Sequence, residues 1–155
     1  MEIRRFKDGD ASALFDVFSS SIRDLASRDY TPQQIEVWAS KDIDPQQWAS
    51  HMKALNPFVV EVKGRIAGYA DVQSNGYIDH FYVSGAYAKQ GVGSLLMKGL
   101  HEEAERLGLN ELTSNVSKTA ESFFERQGFT VVKRNLPVRQ GVTLQNALMR
   151  KGLVN

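Results

Sequence analysis

Ala88-Lys89-Gln90-Gly91-Val92-Gly93-Ser94-Leu95-Leu96 lies between an apolar run, Tyr77 to Val83, that reads as a strand, and a long amphipathic helical pattern. A glycine-containing turn that opens a helix presents unpaired backbone N–H groups at the positive end of the helix dipole. Such a place binds phosphate groups. Glycines also serve tight turns and close helix–strand packing, so the pattern alone does not separate the two uses. Three details sharpen the first: the strand before, the helix directly after, and the Ser94 hydroxyl in its first turn. The stretch is not a P-loop, because no Lys-Ser/Thr follows the second glycine. Nor is it a dinucleotide fingerprint, because Leu96 stands where the third glycine belongs.

Downstream, Val92, Leu95, Leu96, Leu100, Ala104 and Leu107 fall on one helical face, and Gly108 follows the helix end. Leu109–Ser114 reads as a short strand. Ser117 is the expected N-cap of a helix to Gln127, which Gly128 ends. Phe129–Val138 and Val142–Met149 read as two last strands. Upstream, Phe58–Val62 and Ile66–Gln73 form a hairpin about Lys63-Gly64, and Asn75-Gly76 signals a second hairpin into Tyr77 to Ser84. Glu2–Phe6 is a first strand. Asp10 is the expected cap of a helix with Ala11, Leu14, Phe15, Phe18, Ile22 and Leu25 on its apolar face. Two further helices open at Thr31-Pro32-Gln33-Gln34 and Asp44-Pro45-Gln46-Gln47, each with a cap residue and Pro at the first helical position.

The order β, three helices, a three-strand meander, α, β, α, β, β predicts an α/β fold of the α+β type. It has a single mixed, mostly antiparallel sheet with helices on both faces, in one domain over residues 1–155. A net charge of +1 gives no basic field for nucleic acid. With no cysteine, disulfides, thiol nucleophiles and thiolate metal sites are excluded. The composition suits a cytoplasmic protein, with no signal region and no apolar run that would span a membrane. His51, His80 and His101 are scattered without metal-ligand spacing, so no metal is expected.

The chain resembles the GNAT family of acyl-CoA-dependent N-acetyltransferases. The family's Arg/Gln-x-x-Gly-x-Gly/Ala turn is similar to Ala88-Lys89-Gln90-Gly91-Val92-Gly93. Its Asn/Ser-x-x-Ala-x-x-Phe-Tyr-Glu-x-x-Gly-Phe segment is similar to Ser117-Lys118-Thr119-Ala120-Glu121-Ser122-Phe123-Phe124-Glu125-Arg126-Gln127-Gly128-Phe129. The element order agrees over nearly the whole chain. The resemblance implies acetyl-CoA as cosubstrate, with its pyrophosphate on the amides of Lys89, Gln90, Gly91, Val92, Gly93 and Ser94. It implies pantetheine pairing along Phe81, Tyr82 and Val83, with Ser117 and Phe124 also at the cofactor. The pantetheine strand splays from its neighbour, Leu112–Asn115, and an N–H near Tyr82 or Val83 meets the oxyanion. Two departures stand out. Ala88 replaces the usual Arg or Gln, and Phe124 replaces the Tyr that protonates the leaving thiolate.

An acceptor amine must lose a proton before it attacks. Asp79 is the first candidate base, on the strand with the parity of Tyr77, Phe81 and Val83. A surface or ion-paired carboxylate is the plainer reading of it. His80 has the opposite parity and reads as a packed or surface residue rather than a base. Tyr82 shares that face and offers a hydroxyl. Tyr30, Trp38 and Trp48 either wall a substrate pocket, with Tyr30 and Trp38 the stronger candidates, or pack the helices on the sheet. The expected activity is acetyl transfer from acetyl-CoA to a primary amine of a small molecule by direct attack in a ternary complex. The alternative is a non-catalytic acyl-CoA-binding module. No nucleic-acid or membrane partner is expected, and the last strands offer an edge for a homodimer.

Overall fold

The computed structural model describes residues 1–154. Strand β1 (Glu2–Arg5) leads into α1 (Ala11–Ser20), which widens into a π turn over Ser21–Leu25 and tightens into a 3-10 turn over Ala26–Arg28. Then come α2 (Pro32–Trp38), α3 (Pro45–Leu55), β2 (Phe58–Val62), β3 (Arg65–Ala70), β4 (Tyr77–Ile78) and β5 (Phe81–Val83). Helix α4 (Val92–Arg106), β6 (Glu111–Ser117), α5 (Glu121–Arg126), β7 (Thr130–Asn135), β8 (Val138–Arg139), β9 (Val142–Thr143) and β10 (Asn146–Gly152) complete the chain. No helix among the described residues is long and apolar enough to cross a membrane.

The strands pair as β1-β2-β3-β5 and β4-β6-β10-β7, with β8-β9 a separate small hairpin. Only β4 with β6 is parallel among these ladders. The expected single sheet is thus two halves joined through the run Tyr77–Val83, which divides into β4 and β5. Alternation along the strands feeds two core layers. Val60, Ala67 and Ala70 pack with α4 and its Leu96, Met97 and Leu100. Val59 and Tyr69 pack on the other face with Leu14, Phe18, Trp48 and Met52 from α1 and α3. Helix α4 sits close on β3, where a Cβ on Gly68 would come within 2.8 Å of Val92 Cγ1.

Several local expectations change. Asp10 precedes α1, but its side chain makes no cap bond. It accepts instead from Arg4 at 2.8 and 3.1 Å and from the Lys7 amide at 2.9 Å. Ser117 ends β6 rather than capping α5, and its hydroxyl accepts from the Ala120 amide at 3.2 Å in the turn between them. The expected last two strands are each interrupted, because residues 136–145 fold back as the β8–β9 hairpin. Thr31 forms the full capping box with Gln34, as the sequence predicts.

Candidate active site

The break between β4 and β5 builds the site. β4 pairs with β6 only at Tyr77↔Thr113 and Ile78↔Ser114, and β5 pairs with β3 on the opposite side. The cause lies on the neighbouring segment. Asp71, fully buried just past β3, accepts with Oδ1 from the amides of Asp79 at 3.1 Å and His80 at 2.6 Å. Two successive amides on one oxygen cannot belong to an extended strand, whose N–H groups alternate in direction. The side-chain alternation slips with them, as at a bulge. Asp79 and His80, adjacent in sequence, therefore line the same cavity, together with Tyr77 and Tyr82. The expected parity of Asp79 with Phe81 and Val83 is corrected: those two pack in the layer beneath α4.

Past the kink, regular pairing resumes. Asp71 N–H donates to the His80 carbonyl and Ser84 N–H to the Ala67 carbonyl, so residues 80, 82 and 84 turn their backbone groups toward β3. The N–H and C=O of Phe81 and Val83 then face the opening that β6 has left. Tyr82 N–H points into the sheet.

That opening is a cleft of about 520 Å³, lined by Phe81, Tyr82, Val83, Lys89, Gly91, Gly93, Ser94, Ser117 and Phe123, with the π and 3-10 turns after α1 as its far wall. Gly91 takes φ 88°, a left-handed conformation that favours glycine, and Lys89 takes φ 60°. Consecutive amides in such a turn form an anion-binding concavity. No side chain caps α4, leaving its first-turn N–H groups open. A Cβ on Gly93 would stand 3.2 Å from Phe123, at the cleft wall. Arg28 and Arg126 also line the cleft and add positive charge beside Lys89. Sequence reading missed both, since they come from two separate elements.

On the other side of Tyr82 lies a second cavity of about 510 Å³. Its walls include Phe18, Tyr30, Trp38, Trp48, His51, Asp79, His80 and Asn146, with Arg139 reaching in from the β8–β9 hairpin. Trp38, Tyr82 and Ser117 line both cavities, so the two spaces meet there. Burial pushes the Tyr82 phenol up to about 12, so it stays a proton donor at neutral pH. Burial pushes the His80 imidazole down to about 4; Asp79 opposes that and His51 adds to it. Burial also raises the Asp71 carboxyl to about 6, against the amides that bond it. Tyr69 shares a hydrogen bond with His80 Nδ1 at 3.0 Å.

The remaining sequence candidates divide. Tyr30 is buried and lines the cavity, and its hydroxyl donates to the Gln145 carbonyl at 2.5 Å and accepts from the Lys118 amide at 2.9 Å. Trp38 packs edge-on against that ring, 5.2 Å between centroids. Trp48 mainly packs, donating to the Ala11 carbonyl at 2.8 Å and lying 5.0 Å from the Phe18 ring. Phe124 is in the core against Phe81 and Phe129 and does not line the cleft; Phe123, its neighbour, does. Val92 is likewise buried, and the Gln90 side chain turns back to the Ala86 carbonyl. His51 and His80, scattered in sequence, meet with ring centroids 5.4 Å apart. Spacing could not reveal this, because one is on α3 and the other at the kink.

Known proteins carry the same architecture. Residues 26–151 match the model of the acetyltransferase (GNAT) domain. The chain is 33% identical over 150 residues to the N-acetyltransferase YafP of Escherichia coli (strain K12), covering 97% of this chain and 95% of that one. It is similar to the crystal structure of a GCN5-related N-acetyltransferase from Rhodopseudomonas palustris, at 30% identity and a TM-score of 0.93 over 98% of this chain and 95% of that one. PaiA N-acetyltransferase from Thermoplasma acidophilum, crystallised with coenzyme A, shares the fold at 16% identity, a TM-score of 0.77 and 98% coverage of both chains. The glycine turn, the parted strands and these matches agree: the chain belongs to the GNAT acetyltransferases, enzymes that take their acetyl group from acetyl-CoA.

Proposed function

We propose that this acetyltransferase acts on a primary amine of a small, largely apolar or aromatic molecule, by direct attack in a ternary complex. The observation that carries the reading is the junction of the two cavities at Trp38, Tyr82 and Ser117. Acetyl-CoA lies in the first cleft, its pyrophosphate on the amides of residues 89–94 and its pantetheine along Phe81 and Val83. The acceptor enters the second cavity, where rings on most sides favour an apolar body and a cationic head.

The amine needs its lone pair. Asp79 takes the proton, directly or through a water, from the ammonium form that dominates in solution. The nitrogen attacks the thioester carbonyl, and the outward N–H of Phe81 or Val83 steadies the oxyanion. As the C–S bond breaks, the sulfur takes the electron pair and then a proton. With Phe124 unable to donate, the Tyr82 hydroxyl at the junction supplies that proton and is restored by the second proton that the nitrogen sheds as it becomes an amide. The composition suits a cytoplasmic setting, and β7, with exposed Val132 at the edge of its sheet, is the strand through which two copies would pair.

Thiol release from acetyl-CoA, followed across a panel of primary amines, tests the reading. Arylalkyl amines are expected to turn over, with the acetylated amine seen by mass spectrometry. Asp79→Asn should lower kcat by about 10²–10⁴-fold with acetyl-CoA affinity unchanged. Unchanged kcat removes Asp79 as base. Acetyl-CoA binding without turnover of any amine leaves a binding module instead.

A further inference from the structure

We propose that His51, Asp79 and His80 form a binding site for one divalent transition-metal ion of the Zn²⁺ type in the wall of the second cavity, and that the bound ion shuts out the acceptor. Each residue offers one ligand atom, and these atoms all lie within 4.8 Å of one another. Donors around a four-coordinate Zn²⁺, each about 2.0–2.2 Å from the metal, sit roughly 3.3–3.6 Å apart. Closing to that spacing takes about 1 Å of movement. His51 and Asp79 are exposed and turn between staggered rotamers to provide it.

His80 is the fixed member. Its Nδ1 is engaged by Tyr69 at 3.0 Å, which leaves Nε2 as the ligand atom. A hydrogen bond on the far ring nitrogen is the usual support of a metal-bound histidine. The Phe18 ring stacks on the imidazole at 5.9 Å and Trp48 meets it edge-on at 6.1 Å, holding its plane. The Asp71 bond to the His80 amide fixes the backbone, and the same kink sets Asp79 beside it.

Two nitrogens and one carboxylate oxygen select the metal class. They suit Zn²⁺, Co²⁺ and Ni²⁺, whereas Mg²⁺ and Ca²⁺ take oxygen ligands. Three protein ligands leave the fourth position open to the cavity. An ion there occupies the Asp79 lone pairs and puts two positive charges where a cationic head would enter. Arg139 is the other charged side chain of this cavity and repels the ion. The blocking half rests on the reading of this cavity as the acceptor site; metal binding does not.

Metal-stripped protein titrated with Co²⁺ and followed by visible absorption tests the site directly. One equivalent should bring up the band of four-coordinate Co²⁺, and Zn²⁺ should bleach it while excess Mg²⁺ does not. His51→Ala, a surface change on α3, and Asp79→Ala should each weaken binding at least tenfold, and Arg139→Gln should tighten it. A missing band, or wild-type affinity in both His51→Ala and Asp79→Ala, overturns the site. In kinetics, Zn²⁺ should raise KM for the amine and not for acetyl-CoA, reversibly with EDTA. A Co²⁺ band without that competition overturns the block and the acceptor assignment together, and leaves the metal site standing.

Discussion

At the scale of one residue, Asp71 decides more than any group in the cavities. Its carboxylate is fully buried, and its partners are the two kink amides and the Gln73 side chain. Its two bonds to successive amides hold Asp79 and His80 off the regular ladder. Asp71→Ala leaves the two part-buried kink amides without their acceptor, which costs about 1–3 kcal/mol each at most. Relaxation of the kink toward a regular strand lessens that cost, but it turns Asp79 away from the junction. We expect Asp71→Ala to lower kcat at least tenfold at a temperature where it remains folded. Asp71→Asn, which keeps an oxygen acceptor, should recover most of it. Wild-type kcat in Asp71→Ala would show that the kink does not depend on this carboxylate. Phe124 gives the opposite lesson. Its place in a motif invites a catalytic comparison, yet it is a core side chain 2% exposed. Phe124→Tyr should therefore lose stability, by about 1–3 kcal/mol for a buried hydroxyl without a partner, and gain no rate.

At the scale of elements, signals carried by neighbouring residues were legible and signals carried across elements were not. The capping box at Thr31, the Lys63-Gly64 turn and the glycine turn before α4 each depend on residues within one turn of chain, and each is present. The division of Tyr77–Val83 depends on a carboxylate eight and nine residues upstream. Its own sequence looks like one strand. Asp10 shows the same limit. It stands before α1 as a cap would, but Arg4 on β1 claims its carboxylate. Burial alone would raise the Asp10 pKa; hydrogen bonds from Arg4 and the Lys7 amide outweigh it, and the net shift is downward. A depressed folded-state pKa means stability that is present above the unfolded value, about 3.9, and lost as pH falls through the folded one. Asp10→Asn should therefore destabilise the protein by about 1–2 kcal/mol at pH 7. The gap from wild type should shrink as the pH of the melts is lowered past 4. A gap that is constant from pH 7 to pH 3 would show that the pair contributes shape alone.

At the scale of the whole molecule, the two half-sheets part at the cleft. β5 belongs to one half and β6 to the other, and the cleft between them is closed at its far side by the turns after α1 and by α5. The element order predicted one mixed sheet, and the family resemblance implied its splay; neither showed that the second cavity would be walled by the β8–β9 hairpin, because residues 136–145 read as strand ends and their connection. A ligand that lies in the cleft touches segments of both halves, of three α-helices and of the turns after α1, so it should stabilise the fold as a unit. Acetyl-CoA at 100 times its Kd adds about 2.7 kcal/mol by mass action. For a chain of this length that is a rise in Tm of roughly 5–10 °C. Arg28, in the 3-10 turn after α1, and Arg126, on α5, both line the cleft. If both meet the phosphates, Arg28→Ala and Arg126→Ala should each reduce the shift at fixed ligand, without lowering the Tm of the free protein. The loss should fade at high salt, as an exposed electrostatic contribution does. A full shift in the double variant would mean that the amide turn at Gly91 holds the phosphates unaided, and that charge on the cleft walls serves only to attract the cofactor.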